Sequence, residues 1–170
     1  MSVRTLLGYS HAFLVAADGH ASAARGRDVD GEVDGMMCVI ALQNAVVGAT
    51  RLLGRDHPAV AECLRRAPDL KNVRDMVTHF DEYATGTGRL QRSTDGSDGP
   101  FGWTPIWSSP ETLLLLTRRK GESDATHYEV AVHDALRAVA ALVFAAAESQ
   151  GVEPGPLLRR LAAPAPAAGA

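Results

Sequence analysis

Hydrophobic and polar positions along this chain repeat with two different periods, and the places where the period changes divide it into elements. From Val3 to Arg25 the spacing is helical. Leu6, Phe13, Ala17 and Ala24 fall on one side with Tyr9, Ser10 and Leu14 flanking them, while Arg4, His11, Asp18 and Ser22 share the other. Gly26 to Gly35 (GRDVDGEVDG) has no apolar period and reads as a loop. Met36 to Leu53 is apolar nearly all round, interrupted only by Gln43, Asn44, Thr50 and Arg51. Such a helix is buried on most sides, either inside a bundle or in a subunit interface. Gly54 ends it. A short helix follows from Pro58 to about Ala67, with Asp56 as N-cap and Pro58 in the first turn. Asp69 is then expected to cap a long helix over Leu70–Tyr83, whose core stripe is Leu70, Val73, Val77, Phe80 and Ala84.

Thr85 to Gly102 is rich in Gly, Ser, Thr and Asp and reads as a loop. Beyond it the pattern turns strand-like. Trp103–Ser108, Thr112–Arg119 and His127–Val130 are predicted strands. The four leucines Leu113 to Leu116 suit a strand covered on both faces, with a turn of helix as the alternative. Ala131 to Gln150 returns to helical spacing, burying Leu136, Val139, Leu142, Val143 and Ala146 and leaving His133, Asp134, Arg137 and Glu148 on the opposite side. Gly151 and Pro154 stop it. The expected fold is mainly α: an up-and-down bundle of four to five helices with a small β-hairpin or three-strand insert over 103–132 before the last helix. One domain spans 1–152, and 153–170, ending in LAAPAPAAGA, reads as a flexible Ala/Pro-rich tail.

Composition narrows the class. With 46% hydrophobic and 22% charged residues the chain is globular and not disordered, and with only 5% aromatics its core must be aliphatic. The net charge of −3 provides no general attraction to nucleic acid, so any RNA contact must rest on a local patch. Cys38 and Cys63 sit in apolar helical patterns without zinc-like spacing, which reads as buried thiols in a reducing compartment. The N-terminus has no signal-peptide pattern, and the longest apolar run, Ala138–Ala147, is shorter than the ~20 residues a membrane span needs. A soluble, cytoplasmic protein without a membrane partner is the expectation.

The candidate chemistry lies in LKNVRDMVTHFDEY, where Arg74 is followed by Asp75 and, after four intervening residues, by His79. This hexapeptide and the bundle pattern resemble the HEPN superfamily of helical-bundle proteins, whose nuclease members carry Arg, a polar residue and then His. The resemblance implies a homodimer in which two Arg/His pairs share a cleft. It also implies metal-independent endoribonuclease chemistry of the toxin or defence kind, an RNA substrate, an antitoxin or other protein partner, and no cofactor. Arg74 would clamp the phosphate, His79 would act as acid/base, and Asp75 would orient one of them. Two other Arg-to-His spacings occur, Arg51 to His57 and Arg4 to His11. The first straddles Gly54 at a helix end; the second spans nearly two turns, and the pair shares a face.

On one straight helix Arg74 and His79 stand ~140° apart, so a single protomer would not aim both at one phosphate, whereas paired faces in a dimer could. The competing reading is a solvated face on which Lys71, Asp75 and His79 form an i,i+4 ladder. Asp81, Glu82 and Tyr83 beside His79 could tune it or hold a metal, but adjacent carboxylates point to different sides of a helix. Arg118, Arg119 and Lys120 form the densest basic cluster, near Trp103 and Trp107 in sequence. They read as an RNA-gripping finger or as an ordinary charged turn protecting a strand edge. Gly86–Arg89 (GTGR) follows a helix instead of preceding one, which makes it a poor phosphate loop. From a different functional class, the rival is a non-catalytic HEPN-like scaffold or partner-binding protein. A small-ligand-binding bundle is the third reading.

Overall fold

Two long helices, α1 (Val3–Ala24) and α2 (Val29–Leu53), run antiparallel along each other in the computed structural model, which describes residues 2–24, 29–84, 87–91, 105–109, 112–118 and 125–163. Their direction follows from the pairs they form: Ser10 against Gly48, the Cys38 thiol on the Ala17 carbonyl at 3.4 Å, and His20 Nδ1 with Asp34 Oδ1 at 2.8 Å. The helix α2 starts at Val29, inside the segment expected as a loop. Small residues Ala17, Ala21 and Ala24 line the buried face of α1 and let α2 lie close over its whole length, and the His20–Asp34 pair fastens the added turns. Packing thus overrides the poor helix propensity of that Gly/Asp-rich stretch.

The helix α3 (Pro58–Arg66) is capped not by Asp56 but by His57, whose Nδ1 accepts the Ala59 N–H at 3.2 Å. The predicted helix over Leu70–Tyr83 is two: α4 (Leu70–Thr78) and α5 (Phe80–Ala84), broken at His79. Asp69 makes no side-chain cap. Its carboxylate instead accepts the Glu129 N–H at 3.1 Å, from the strand at one edge of the sheet. That bond satisfies a backbone donor that an edge strand otherwise leaves to solvent.

β1 (Pro105–Ser109), β2 (Thr112–Arg118) and β3 (Ala125–Ala131) form an antiparallel sheet in the order β1-β2-β3. Leu113 pairs with Val130 and Leu115 with Tyr128, and all four are buried; Leu114 is half-buried opposite the exposed Glu129. The leucine run is therefore strand, with its Leu113/Leu115 face in the core. β3 feeds directly into α6 (Val132–Ser149), which buries Leu136, Val139, Leu142, Val143 and Ala146 as their spacing predicts. Its end is a Schellman motif: Gly151, at φ 64°, donates to the Glu148 carbonyl and Val152 to the Ala147 carbonyl, both at 3.0 Å.

Past that stop the chain is helical again over α7 (Pro156–Ala162), where a flexible tail was expected. Leu158 is buried in the main core, which gives the segment a reason to fold; residues 164–170 lie outside the described residues. The fold is mainly helical with a small β insert before the last helices. Helix α6 contacts α1, α2, α3 and α7, while α4 bridges α2 and β3. Ala138–Ala147 is the longest uninterrupted apolar run, and Val33–Leu53 is a longer stretch that is apolar on average. Its 21 residues, of mean hydropathy 1.5, are long and apolar enough to cross a membrane by length and composition, yet Cys38, Val39, Leu42, Ala45 and Ala49 within it are buried in the bundle.

Candidate functional site

The break between α4 and α5 determines what the Arg74–Asp75–His79 group can do. At His79 the backbone leaves helical angles (φ −118°, ψ 40°), although its N–H still reaches the Asp75 carbonyl at 3.0 Å and its own carbonyl accepts the Tyr83 N–H at 3.1 Å. This offset makes the buried stripe Leu70, Val73, Met76 and Tyr83, without the expected Val77 and Phe80. Val77 is only partly buried and Phe80 is 60% exposed. Because His79 stands outside the frame of α4, the ~140° separation expected of a straight helix no longer governs its direction.

The three side chains have unequal freedom. His79 is exposed, with Nδ1 3.5 Å from Glu82 Oε1. Arg74 is half-buried, and its Nε is buried without a hydrogen-bond partner. Asp75 is mostly buried, and its Oδ2 accepts from Arg89 Nε at 2.8 Å and from the Tyr83 hydroxyl at 3.3 Å. The expected Lys71–Asp75–His79 ladder is not what Asp75 and His79 join, because Asp75 turns to the 87–91 turn and His79 to Glu82.

That turn is where local sequence reading fell short. Arg89 also donates from Nη2 to Asn72 Oδ1 at 3.1 Å, and burial pushes the Tyr83 hydroxyl up to about 12 against the opposing bond from the Leu90 N–H. Gln91 is buried; its Nε2 donates to the Tyr83 carbonyl and its Oε1 accepts the Gly88 N–H, both at 3.1 Å. Residues 87–91 are thus a strap over α5 that fixes Asp75, and Thr87–Arg89 of the GTGR stretch belong to it. Nothing in the local pattern couples Arg89 to Asp75 fourteen positions earlier.

Of the expected basic finger, Arg118 closes β2, while Arg119 and Lys120 lie outside the described residues, as does Trp103. Among the described residues no cluster of His, Cys, Asp and Glu could hold a metal ion. Cys38 and Cys63 are buried free thiols, pushed up by burial to about 12 and about 11. The Arg4/His11 pair, in contrast, lines a cavity of about 330 Å³ between α1, the end of α6 and α7.

A second surface feature spans the α1–α2 hairpin. Tyr9, Phe13, Val33, Met37 and Val47 are exposed, with Leu6, Ile40 and Asn44 half-buried between them. On α2 the positions 33, 37, 40, 44 and 47 alternate steps of four and three, the spacing of a coiled-coil seam. A groove of about 350 Å³ lies between Tyr9, Phe13 and Val47. Phe144 packs partly buried against the core.

The architecture therefore defines an α-helical bundle protein with an antiparallel three-stranded insert, a polar corner at α4–α5 and an apolar outer seam. Comparison with protein-family profiles, with curated proteins and with solved structures finds no match to this chain.

Proposed function

We propose that this is a cytoplasmic, HEPN-like helical-bundle protein that works as a homodimeric binding scaffold, joined through the outer seam of α1 and α2. The observation that carries the reading is the series 33, 37, 40, 44 and 47 at steps of four and three, with Val33, Met37 and Val47 exposed, Ile40 and the polar Asn44 half-buried, beside Tyr9 and Phe13. A lone globular chain rarely leaves such a continuous stripe to water, and a seam of this period is built to receive helices. A second copy supplies the matching seam, since a twofold pairs each patch with itself. Buried free thiols fit a reducing compartment. The test is sedimentation at tens of micromolar: the parent should run as a dimer, and Met37→Glu or Phe13→Glu as a folded monomer. A monomeric parent overturns the proposal.

The second reading is a metal-independent endoribonuclease of toxin or defence type, acting on RNA under the control of an antitoxin or other protein partner. It is favoured by a half-buried guanidinium at Arg74 whose Nε has no partner, close in sequence to an imidazole held by Glu82. In that reading His79 moves the proton at the ribose 2′-hydroxyl or leaving oxygen, and Arg74 steadies the phosphate charge. Asp75 supports the fold instead of the reaction, because its Oδ2 is held by both Arg89 and Tyr83. RNA cleavage that resists chelators and falls by about 10²–10⁴ in His79→Ala supports it. Cleavage unchanged in both His79→Ala and Arg74→Ala excludes this site.

A further inference from the structure

The cavity between α1, α6 and α7 carries a different assignment. Its floor and walls are apolar, with Leu7 from α1, Val143 and Ala147 from α6 and Leu158 from α7. Arg4 and His11 reach it from the same face of α1, two turns apart, with Gly8 between them. Among the described residues no hydrogen bond or ion pair engages either side chain. They are a guanidinium and an imidazole beside an apolar space, unpaired among the described residues.

Gly8 shapes the space between them. A glycine inside a helix costs about 0.8–1 kcal/mol relative to alanine, so packing usually explains its presence. Here packing does not, because a Cβ at Gly8 would meet no atom within 4 Å. At Gly48, by comparison, a Cβ would come within 2.1 Å of the Ser10 hydroxyl, and the helices need the glycine. What the missing side chain at Gly8 does leave is room, between the two donors and above the apolar floor.

We propose that this cavity binds a small amphiphilic carboxylate, its head group over Gly8 between Arg4 and His11 and its hydrocarbon body against Leu7, Val143 and Leu158. The volume, about 330 Å³, lies at the lower end of small-molecule pockets. A singly charged head suits the site better than a phosphate dianion, because Glu153 also lines the mouth, where it pairs with Arg159. The apolar lining excludes short, fully hydrated anions for want of a body to bury.

The experiment is calorimetric titration of the full chain with octanoate, with octanol and acetate as the uncharged and tailless probes. Octanoate should bind at one site per chain, and acetate should not. Arg4→Gln and His11→Gln should each weaken octanoate about tenfold, the loss of one charge-assisted hydrogen bond, and leave octanol unaffected. Gly8→Leu should fill the cavity and abolish octanoate binding while the helical circular dichroism is retained, since the position is open. Octanol binding as tightly as octanoate overturns the role of Arg4 and His11. Octanoate binding unchanged in Gly8→Leu, or absent from the parent, overturns the site itself. The dimer seam lies elsewhere on the hairpin, so Met37→Glu should still bind octanoate.

Discussion

The backbone of Gly88 lies against the ring of Tyr83 so closely that a Cβ there would sit 2.6 Å from Cγ and Cδ1. Tyr83 is fully buried and cannot retreat. Gly88→Ala should therefore destabilise the protein by about 1–3 kcal/mol through overpacking. Gly8→Ala is the control, expected to stabilise by about 0.5–1 kcal/mol because its Cβ meets nothing and the helix gains propensity. Urea midpoints of the two variants should move in opposite directions; a Gly88→Ala midpoint equal to the parent's would show that the strap does not pack on Tyr83.

Asp75 and His79 should separate by stability. Removing the Asp75 carboxylate takes away the partner of Arg89 and of the Tyr83 hydroxyl, so Asp75→Ala should cost about 1–2 kcal/mol. His79→Ala, at an exposed position, should stay within about 0.5 kcal/mol of the parent. Denaturant unfolding of both variants reads this directly, and equal losses would place His79 in the core network as well.

Alkaline pH should loosen the fold in a defined window. Burial raises Cys38 from 9.0 to about 12, Cys63 from 9.0 to about 11 and Tyr83 from 10.0 to about 12. Between about pH 9 and pH 11 the unfolded chain has released thiol protons that the native state still holds. The unfolded state then binds fewer protons than the native one, so stability falls as pH rises. Below pH 9 these groups add no slope. A urea midpoint that is level up to about pH 9 and drops beyond it is the expected profile, accompanied by slow thiol modification in the native state.

Thr117 lies on the Leu113/Leu115 face of β2, is 0% exposed, and its hydroxyl has no hydrogen-bond partner among the described residues. A buried, unpaired hydroxyl costs on the order of 1–3 kcal/mol. Thr117→Val keeps the branched shape and removes that cost, so the thermal midpoint should rise. A fall would mean that the hydroxyl is satisfied in solution.

The sequence by itself determined the elements whose periodicity is strong and whose ends carry chemical stops. Leu136, Val139, Leu142, Val143 and Ala146 predict the buried face of α6, and Gly151 predicts its end, because 3.6-residue spacing and a left-handed glycine are local properties. The change of period after the glycine-rich stretch likewise marks the strands, where Leu113 and Leu115 alternate inward. What local pattern does not contain is energy that arises only between distant segments. Helix α2 gains its first turns from the small face of α1, Pro156–Ala162 folds because Leu158 finds the core, and Asp69 leaves its cap to hold Glu129. The candidate site was legible as residue types only. Tertiary structure decided that Asp75 belongs to Arg89 and Tyr83, that His79 sits at a break, and that Arg4 and His11 share a cavity. In each case the partner comes from a different element, and no periodicity along one helix encodes it.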